Sequence, residues 1–185
     1  MINNKIRVGI IGLGYLGKFH YDKYMANRKA KVAAVVDINA KNMDEINNNI
    51  IKANNYKDIL NEVDAVSIVT PTTTHFKIAE FFLSNKKSVL LEKPMTETTA
   101  QARKLNDLAD KNKCILQIGH LEQFNPAIKK LKSDFKNPQF IEVHRLCKFN
   151  PRANDVDVVL DLMIHDIDIV LSIINTKIKK ISVSG

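Results

Sequence analysis

Short apolar runs rich in β-branched residues alternate with longer segments in which apolar residues recur at helical spacing. The apolar runs have the length of strands and cover residues 6–11, 32–36, 65–69, 88–91 and 115–118. The helical patterns fall near residues 15–25, 42–51, 74–83 and 98–110. This alternation predicts an α/β fold with a doubly wound parallel sheet, whose strands are apolar because helices cover both faces.

The pattern changes after Gly119. Asn125 and Pro126 predict a helix start, because Asn caps helices and Pro favours the first helical position. That helix should run to about residue 135, and the alternation over residues 139–149 predicts a half-exposed strand. A long helix over 156–174 and a strand over 178–183 follow. We therefore expect a first domain over residues 1–120 and an incomplete α+β substrate domain over 121–185, which is small for an independent core.

Composition narrows the class of protein. The 185 residues are 45% hydrophobic and 26% charged, which is typical of a soluble globular chain. The net charge of +8 permits nucleic-acid binding, but the lysines are scattered and no aromatic residues interleave with a basic stripe, so a solvated lysine-rich surface is favoured. Cys114 and Cys147 have no CxxC partner, so a metal site or a disulfide framework is not expected in this chain. The same cysteine content indicates a reducing cytoplasm. No apolar run is long enough to span a membrane.

The chemistry-bearing motif nearest the N-terminus is a glycine-rich turn between the first predicted strand and helix. Gly12 permits a tight turn, Gly14 lets the backbone approach a pyrophosphate, and Gly17 lets the helix pack close to the strand. Asp37 follows the second strand, 20 residues after Gly17, where a carboxylate can bind ribose hydroxyls and repel a 2′-phosphate. The sequence thus predicts NAD binding by a Rossmann-type fold, against the alternative of a structural turn and an unrelated Asp. Tyr15 and Leu16 complete the motif.

Two further strand ends carry candidate residues at the carboxyl edge of the sheet. In "SIVTPTTTH", Thr70 and Pro71 are predicted to line the cofactor; a plain helix cap supplied by residues 72–74 is an equally good interpretation. We interpret His75 as a helix-surface residue. In "VLLEKP", Lys93 is placed to face a ligand, where it could bond a substrate hydroxyl or help move its proton.

The long helix predicted over residues 156–174 carries a polar stripe of Asp157, Asp161, His165 and Asp168, spaced four, four and three residues apart. A carboxylate beside an imidazole stabilises the imidazolium and orients the ring, which suits proton transfer near neutral pH. Three interpretations stay open. The stripe is a solvated face, a weak metal-ligand set, or an acid–base site.

These segments together resemble the Gfo/Idh/MocA oxidoreductases, the glucose–fructose oxidoreductase and inositol dehydrogenase family. The matching pieces are "GIIGLGYLGKFH", "VVD", "TPTTTH", "EKP", "GHLEQFNP" and "DLMIHDID", in the family's order across essentially all of the chain. "GHLEQFNPA" and "DVDVVLDLMIHDIDIVL" look most like the nucleotide-sugar members, the UDP-N-acetylglucosamine 3-dehydrogenases.

The resemblance implies a mechanism for oxidising a sugar or nucleotide sugar. NAD would bind across the glycine motif and Asp37, with Glu92, Lys93 and His120 near it. A sugar ring would lie between the two domains and exchange hydride with the nicotinamide. His165 would take the hydroxyl proton, supported by Lys93 and Asp161, and the Lys93–Pro94 bond of the EKP motif is often cis in the family.

Two departures from the family pattern qualify this expectation. Gln123 stands where the family usually has Arg, so a charged contact is lost, which is either a cause of weaker nucleotide-sugar binding or a neutral surface change. Family members are also considerably longer, so the chain is expected to be C-terminally truncated. Because the cofactor motifs and Lys93, Asp161 and His165 are present, the chain is still expected to be a dehydrogenase. The alternative is an inactive remnant that at most binds the dinucleotide and whose exposed partial sheet would favour homo-oligomers.

Overall fold

The first unit of the structure, Met1–Gly119, is built on a six-stranded parallel sheet. The computed structural model describes residues 5–135, 138–146, 157–174 and 176–184. The strands run in the order β3-β2-β1-β4-β5-β6, so the chain reverses its direction of winding between β1 and β4. Ligands bind at such a switch point in doubly wound sheets. The strands are β1 (Ile6–Ile11), β2 (Ala30–Val36), β3 (Ile51–Ala53), β4 (Ala65–Ile68), β5 (Ser88–Leu91) and β6 (Leu116–Ile118).

Three helices connect these strands, and the predicted α/β fold is confirmed. They are α1 (Tyr15–Met25), α2 (Thr72–Ser84) and α3 (Thr99–Asn112). Successive strand residues point to opposite faces of a sheet. Accordingly, Ile10 and Val35 belong to one buried apolar cluster, whereas Ile11 and Val36 belong to another. The sheet is therefore covered on both faces, which explains why its strands are nearly continuously apolar.

The helix predicted over residues 42–51 is wrong. A 3₁₀ helix spans Ala40–Met43, and turns lead from it to β3, a strand that the sequence analysis missed. The amide oxygen of Asn47 accepts a hydrogen bond from the backbone N–H of Asn49 at 2.9 Å, a local bond that competes with helix formation. Ile46 and Ile50 are buried four residues apart, which produced the helical pattern without a helix.

The second unit, His120–Gly185, contains two α-helices in its described residues, α4 (Pro126–Asp134) and α5 (Ile164–Ile173). The Asn125 side chain accepts a hydrogen bond from the backbone N–H of Ala127, so the predicted cap and Pro start of α4 are observed. A π-helical segment, Val159–Met163, leads directly into α5. The start of the predicted long helix, residue 156, lies outside the described residues.

The two strands predicted in this unit do not form in its described residues. Residues 138–146 and 177–184 have no helical or strand structure, and residues 147–149 of the first prediction, including Cys147, lie outside the description. A strand requires a neighbouring backbone to complete its hydrogen bonds. Alternating side chains such as Phe140, Leu146, Ile181 and Val183 remain exposed. The alternating pattern is therefore present, but the described residues of this unit provide no neighbouring strand with which these segments could pair.

An ion pair connects β1 to the start of β4. The Asp64 carboxylate accepts hydrogen bonds from the Arg7 guanidinium, at 2.8 Å from Nη2, and from the Arg7 backbone N–H at 2.8 Å. The side-chain hydrogen bond from Arg7 lowers the pKa of Asp64. The bonds therefore favour the charged carboxylate and support the pairing of the two strands at the switch point.

We predict that Asp64→Asn lowers the urea midpoint of unfolding at pH 7, and that the difference from the unchanged protein disappears in acid. A lowered folded-state pKa stabilises the fold above the unfolded-state value of about 3.9, and that contribution is lost as the pH falls through the folded-state pKa. Urea unfolding over a pH series measures it, with Asp107→Asn on an exposed position of α3 as control. A difference that does not change with pH would contradict the assignment.

Candidate functional site

The glycine-rich turn after β1 has the geometry of a phosphate-binding loop. Gly12 has φ = 90°, and a Cβ there would lie 2.4 Å from the Val69 carbonyl oxygen. A Cβ on Gly17 would lie 2.0 Å from the carbonyl oxygen of Gly12. Both positions therefore require glycine, the first for its conformation and close approach and the second for the packing of α1 against the turn.

Gly14 differs from the other two glycines because nothing lies within 4 Å of the position that its Cβ would take. Its φ of −64° suits any residue, so the fold itself does not require glycine here. Gly14 is the N-cap of α1 and makes no side-chain capping bond. The N-terminus of α1 therefore borders open space, and a helix N-terminus attracts anionic groups such as phosphates.

Asp37 connects the end of β2 to this turn. The residue is only 9% exposed, and its carboxylate oxygens accept hydrogen bonds from the backbone N–H groups of Leu13 at 2.7 Å and Asn39 at 2.8 Å. Asn54 donates a side-chain hydrogen bond to the Asp37 carbonyl oxygen at 2.9 Å. Each carboxylate oxygen can accept more than one hydrogen bond, so Asp37 can hold the turn and still accept from ribose hydroxyls.

An open cavity of about 630 Å³ lies over the carboxyl edge of β1, β2 and β4. Its lining brings together five of the residues predicted to bind the cofactor, which are Gly12, Gly14, Asp37, Thr70 and Pro71. The space is of the size that ligand sites have, and the open position at Gly14 faces it. The residues present fit a dinucleotide, because a helix N-terminus and the carboxylate at the end of β2 border one cavity.

Several lining residues were missed by the sequence analysis. The polar ones are Asn39, Asn42, Asn54, Tyr56, Thr73, Thr74 and Lys77. Ile38 also lines the cavity and is 93% exposed. The missed strand β3 explains part of this gap, because Asn54 and Tyr56 follow its carboxyl end. The signal that could have found them is the asparagine pair at 54–55, a turn marker directly after a short β-branched run.

The segment after β4 departs from its predicted role as a helix cap. Thr72 to Thr74 lie inside the first turn of α2, whose N-cap is Pro71, without a side-chain capping bond. The hydroxyl groups of Thr70 and Thr74 lie 2.7 Å apart, and Thr74 is also 2.7 Å from the Pro71 carbonyl oxygen. Thr70 and Pro71 therefore form an ordered wall of the cavity.

His75 is buried, and its interpretation as a helix-surface residue is wrong. Its exposure is 1%, and its two ring nitrogens lie 2.9 Å from the carbonyl oxygens of Thr70 and Pro94. The face of α2 that carries His75 packs against the segment after β5, a tertiary contact that helical periodicity does not report. His75 therefore connects two loops at the carboxyl edge of the sheet.

The predicted residues after β5 lie in a largely buried turn. Glu92 is 5% exposed, Lys93 is half-buried, and the Lys93–Pro94 peptide bond is cis. Neither Glu92 nor Lys93 lines the cavity described above, and neither do Tyr15, Leu16, Gly17 and His120. Tyr15 and Leu16 begin α1 and are exposed at its surface. The part of these six residues in cofactor binding stays a prediction.

Glu92 belongs to a buried polar network that the sequence analysis missed. The Glu92 carboxylate lies 3.0 Å from Nε2 of His20, and Nδ1 of the same ring lies 2.8 Å from the Ser67 hydroxyl. Ser67 also bonds the Tyr24 hydroxyl, and burial raises the pKa of Tyr24. His20 is the residue from which this network could have been predicted, because it lies three residues after Gly17, on a helix whose start packs against the sheet.

The polar stripe of the second unit is spread over different environments. Asp157 is exposed and accepts a hydrogen bond from the Leu160 backbone N–H at 2.9 Å. Asp161 lies in the π-helical segment and His165 in the first turn of α5, and both are half-buried. Asp168 lies 4.0 Å from Nδ1 of His120. The stripe is thus partly covered by its own unit, which disfavours a purely solvated face.

Gln123 bridges two helices of the second unit. Its amide nitrogen donates to the Asp168 carboxylate, and its amide oxygen accepts from the Lys132 ammonium on α4. Gln123 therefore has a bridging role within this unit that needs no charge of its own.

The sequence analysis also missed Asp166. Its carboxylate pairs with Arg145 at 2.7 Å, and that hydrogen bond lowers the pKa of Asp166.

The described residues contain no group of three or more His, Cys, Asp or Glu side chains arranged to hold a metal ion. In the same part of the chain, no helix is both long and apolar enough to cross a membrane.

The strand order, the glycine turn and the carboxylate at the end of β2 define the first unit as a dinucleotide-binding Rossmann domain. Residues 6–120 match the Gfo/Idh/MocA family, described as an oxidoreductase family with an NAD-binding Rossmann fold. The chain belongs to this family. The resemblance stated from the sequence is therefore confirmed.

Curated relatives include sugar and cyclitol dehydrogenases. The chain is 43% identical to the UDP-N-acetylglucosamine 3-dehydrogenase of Acidithiobacillus ferrooxidans over 169 residues, which cover 90% of this chain and 53% of the relative. It is 26% identical to the myo-inositol 2-dehydrogenase of Thermotoga maritima, covering 97% of this chain and 58% of the relative. The chain thus spans about half the length of the curated relatives it matches.

Solved structures show the same fold. The Acidithiobacillus ferrooxidans UDP-N-acetylglucosamine 3-dehydrogenase superposes with a TM-score of 0.82 at 41% identity, covering 91% of this chain and 56% of that one. The scyllo-inositol dehydrogenase of Lactobacillus casei, solved with bound NAD(H) and scyllo-inositol, gives a TM-score of 0.66 at 24% identity, covering 70% of this chain and 40% of that one. At that identity the second likeness shows the fold alone.

The different surroundings of Gly14 and Gly17 generate a paired prediction. Gly14→Ala should leave the unfolding midpoint nearly unchanged, because its Cβ meets open space, yet it should weaken NADH binding because that methyl group enters the cavity. Gly17→Ala should lower the midpoint, because its Cβ would collide with the backbone oxygen of Gly12. Thermal unfolding with and without NADH measures both effects. Undiminished NADH binding by Gly14→Ala would contradict the placement of the phosphates.

Proposed function

We propose that this chain binds NAD(H) in the cavity at the carboxyl edge of its sheet and forms the cofactor-binding part of a sugar or nucleotide-sugar dehydrogenase. The observation that carries the proposal is the meeting of Gly14 and Asp37 at one cavity, with α1 beginning beside them. Bound NAD would supply a hydride acceptor, and NADH a hydride donor. The family to which the chain belongs supports the same cofactor.

In this proposal, different residues in and around the cavity bind different groups of the dinucleotide. The N-terminus of α1, with Gly12, Gly14, Tyr15, Leu16 and Gly17 around it, receives the pyrophosphate. Asp37 accepts hydrogen bonds from the ribose 2′- and 3′-hydroxyls, which favours NAD because a 2′-phosphate would meet a carboxylate. Thr70 and Pro71 border the bound dinucleotide, with Glu92, Lys93 and His120 as further contacts.

The proposed reaction converts a sugar hydroxyl to a carbonyl. The hydride leaves the ring carbon for the cofactor, and the hydroxyl proton leaves for a base as the carbon–oxygen double bond forms. We assign His165 as the base, with a ring nitrogen accepting the proton. Asp161 orients and stabilises the charged ring, and the Lys93 ammonium supports the developing alkoxide. The similarity to a UDP-N-acetylglucosamine 3-dehydrogenase supports a nucleotide sugar as substrate.

A second function, dinucleotide binding without turnover, is favoured by the second unit. Among its described residues no strand forms, and apolar side chains such as Leu146 and Val183 are exposed. Such side chains would also support self-association, so we include a homo-oligomer in the proposal. A cytoplasmic location stays a prediction from the cysteine content.

The cofactor prediction is tested by the unfolding midpoint of the chain with and without NADH and NADPH. A ligand at about 100 times its dissociation constant stabilises the folded state by about 2.7 kcal/mol, so NADH should raise the midpoint clearly. NADPH should raise it little, because its 2′-phosphate meets Asp37, and Asp37→Ala should reduce that difference. Equal shifts by both cofactors in the unchanged chain would contradict the role of Asp37, and no shift with either would contradict the proposed function.

The catalytic assignment is tested separately with Lys93→Ala and His165→Ala. Each should abolish oxidation of nucleotide sugars, because these side chains handle the substrate proton. The NADH-induced midpoint shift should be unchanged in His165→Ala and only slightly smaller in Lys93→Ala, because Lys93 is also a proposed contact of the dinucleotide. His144→Ala, on an exposed histidine of the second unit, serves as the control. Loss of NADH binding in either variant would contradict the roles. An unchanged chain that binds NADH and oxidises no sugar would support the second function.

A further inference from the structure

We propose that two buried histidines, His20 on α1 and His75 on α2, are positioning residues that hold Lys93 from both sides of its turn. His20 holds the preceding residue, Glu92, and His75 holds the following residue, Pro94. The inference rests on the proposed role of Lys93 in handling the substrate proton. It adds that the direction of the Lys93 side chain is set by two helices that lie far from it in sequence.

His75 fixes the turn through backbone oxygens alone. Its Nδ1 lies 2.9 Å from the Pro94 carbonyl oxygen, and its Nε2 lies 2.9 Å from that of Thr70. Carbonyl oxygens only accept hydrogen bonds, so a ring nitrogen must carry a proton to bond either one. His75 is 1% exposed, which leaves water little access to replace a lost bond. In the tautomer that carries the proton on Nδ1, His75 donates to the Pro94 oxygen, and losing the side chain would remove that bond and release the turn from α2.

His20 fixes the other side of the turn through a carboxylate. Its Nε2 lies 3.0 Å from Oε1 of Glu92, and both side chains are almost fully buried, at 12% and 7% exposure. The second oxygen of Glu92 accepts a hydrogen bond from the Lys93 backbone N–H at 3.3 Å. Glu92 therefore transmits the position of His20 directly to the backbone of Lys93.

Gly119 supplies the space in which the Glu92 carboxylate lies. A Cβ at Gly119 would be 2.7 Å from Oε1 and 2.9 Å from the carboxyl carbon of Glu92. Gly119 also donates a backbone hydrogen bond to Leu91 at 2.8 Å, which keeps the end of β6 against this turn. Replacing Gly119 by Ala would displace the carboxylate while retaining both histidines. It therefore disturbs the same turn by an independent route.

The test measures Lys93 itself in the full chain without cofactor. Trace acetylation with acetic anhydride, followed by mass spectrometry, gives the rate of modification of each lysine over a pH series. The variants are His20→Leu, His75→Leu and Gly119→Ala, with His20→Gln as the conservative replacement that keeps a donor for Glu92. Val32→Ala, which removes two buried methyl groups from β2 and none of the hydrogen bonds around Lys93, controls for general loss of stability.

In all three disruptive variants Lys93 should be acetylated several-fold faster, because the turn that keeps its side chain half-buried is released. The rate at exposed Lys18 should stay unchanged. His20→Gln should restore a rate near that of the unchanged chain, and Val32→Ala should leave the Lys93 rate unaltered. An unaltered Lys93 rate in the disruptive variants, or a rise shared by all lysines and by Val32→Ala, would overturn the proposal. If the leucine variants do not fold, the Gly119→Ala result decides.

Failure of this inference is distinguishable from failure of the proposed function. The acetylation rates need neither NADH nor a sugar, whereas the proposed function is tested by the NADH-induced midpoint shift. A selective change at Lys93 without any NADH shift would retain the positioning and reject the cofactor site. An NADH shift with unaltered Lys93 rates would retain the cofactor site and reject the positioning.

Discussion

The contact between α1 and the turn that precedes it is the constraint on which the rest of the site depends. At Gly17 the helix lies so close to the Gly12 carbonyl oxygen that a single methyl group would not fit. The Asp37 carboxylate holds the same turn through the Leu13 N–H, so β2 is tied to it as well. Helix, turn and two strands are thereby fixed together, and the open position at Gly14 is left facing the cavity. In the proposed function, the phosphates of the cofactor are therefore received by a turn that backbone packing has already fixed.

The same edge of the sheet also carries polar groups inside an otherwise apolar unit. Ser67, Glu92 and His75 are buried, and each is hydrogen-bonded to a residue of a different element. Burying such groups is costly unless their partners are in place, so they make the arrangement of the loops specific. The apolar clusters on the two faces of the sheet hold the strands, whereas these polar bonds hold the strand ends. This division of roles places candidate chemistry on loops supported by a rigid sheet.

The features that could be predicted from the sequence are those set by residues close together along the chain. The glycine spacing and Asp37 lie within one strand–helix–strand unit, and their positions follow from the length of that unit. The burial of His75 could not be predicted, because it depends on Pro94, nineteen residues away and on another element. The strand β3 was missed because its three residues are too short for a periodic pattern. The strands predicted in the second unit failed for the opposite reason, since their alternation is clear and a pairing partner is absent from the described residues.

The most direct test of the central claim is the location of bound NADH on the chain. Amide chemical shifts of the isotopically labelled protein, followed by NMR during a titration with NADH, report which backbone groups meet the ligand. We predict that the largest changes fall on residues 12–17, on 37–39 and on 70–74, which border the cavity or the start of α1. Changes confined to other parts of the chain, or no changes at saturating NADH, would contradict the account.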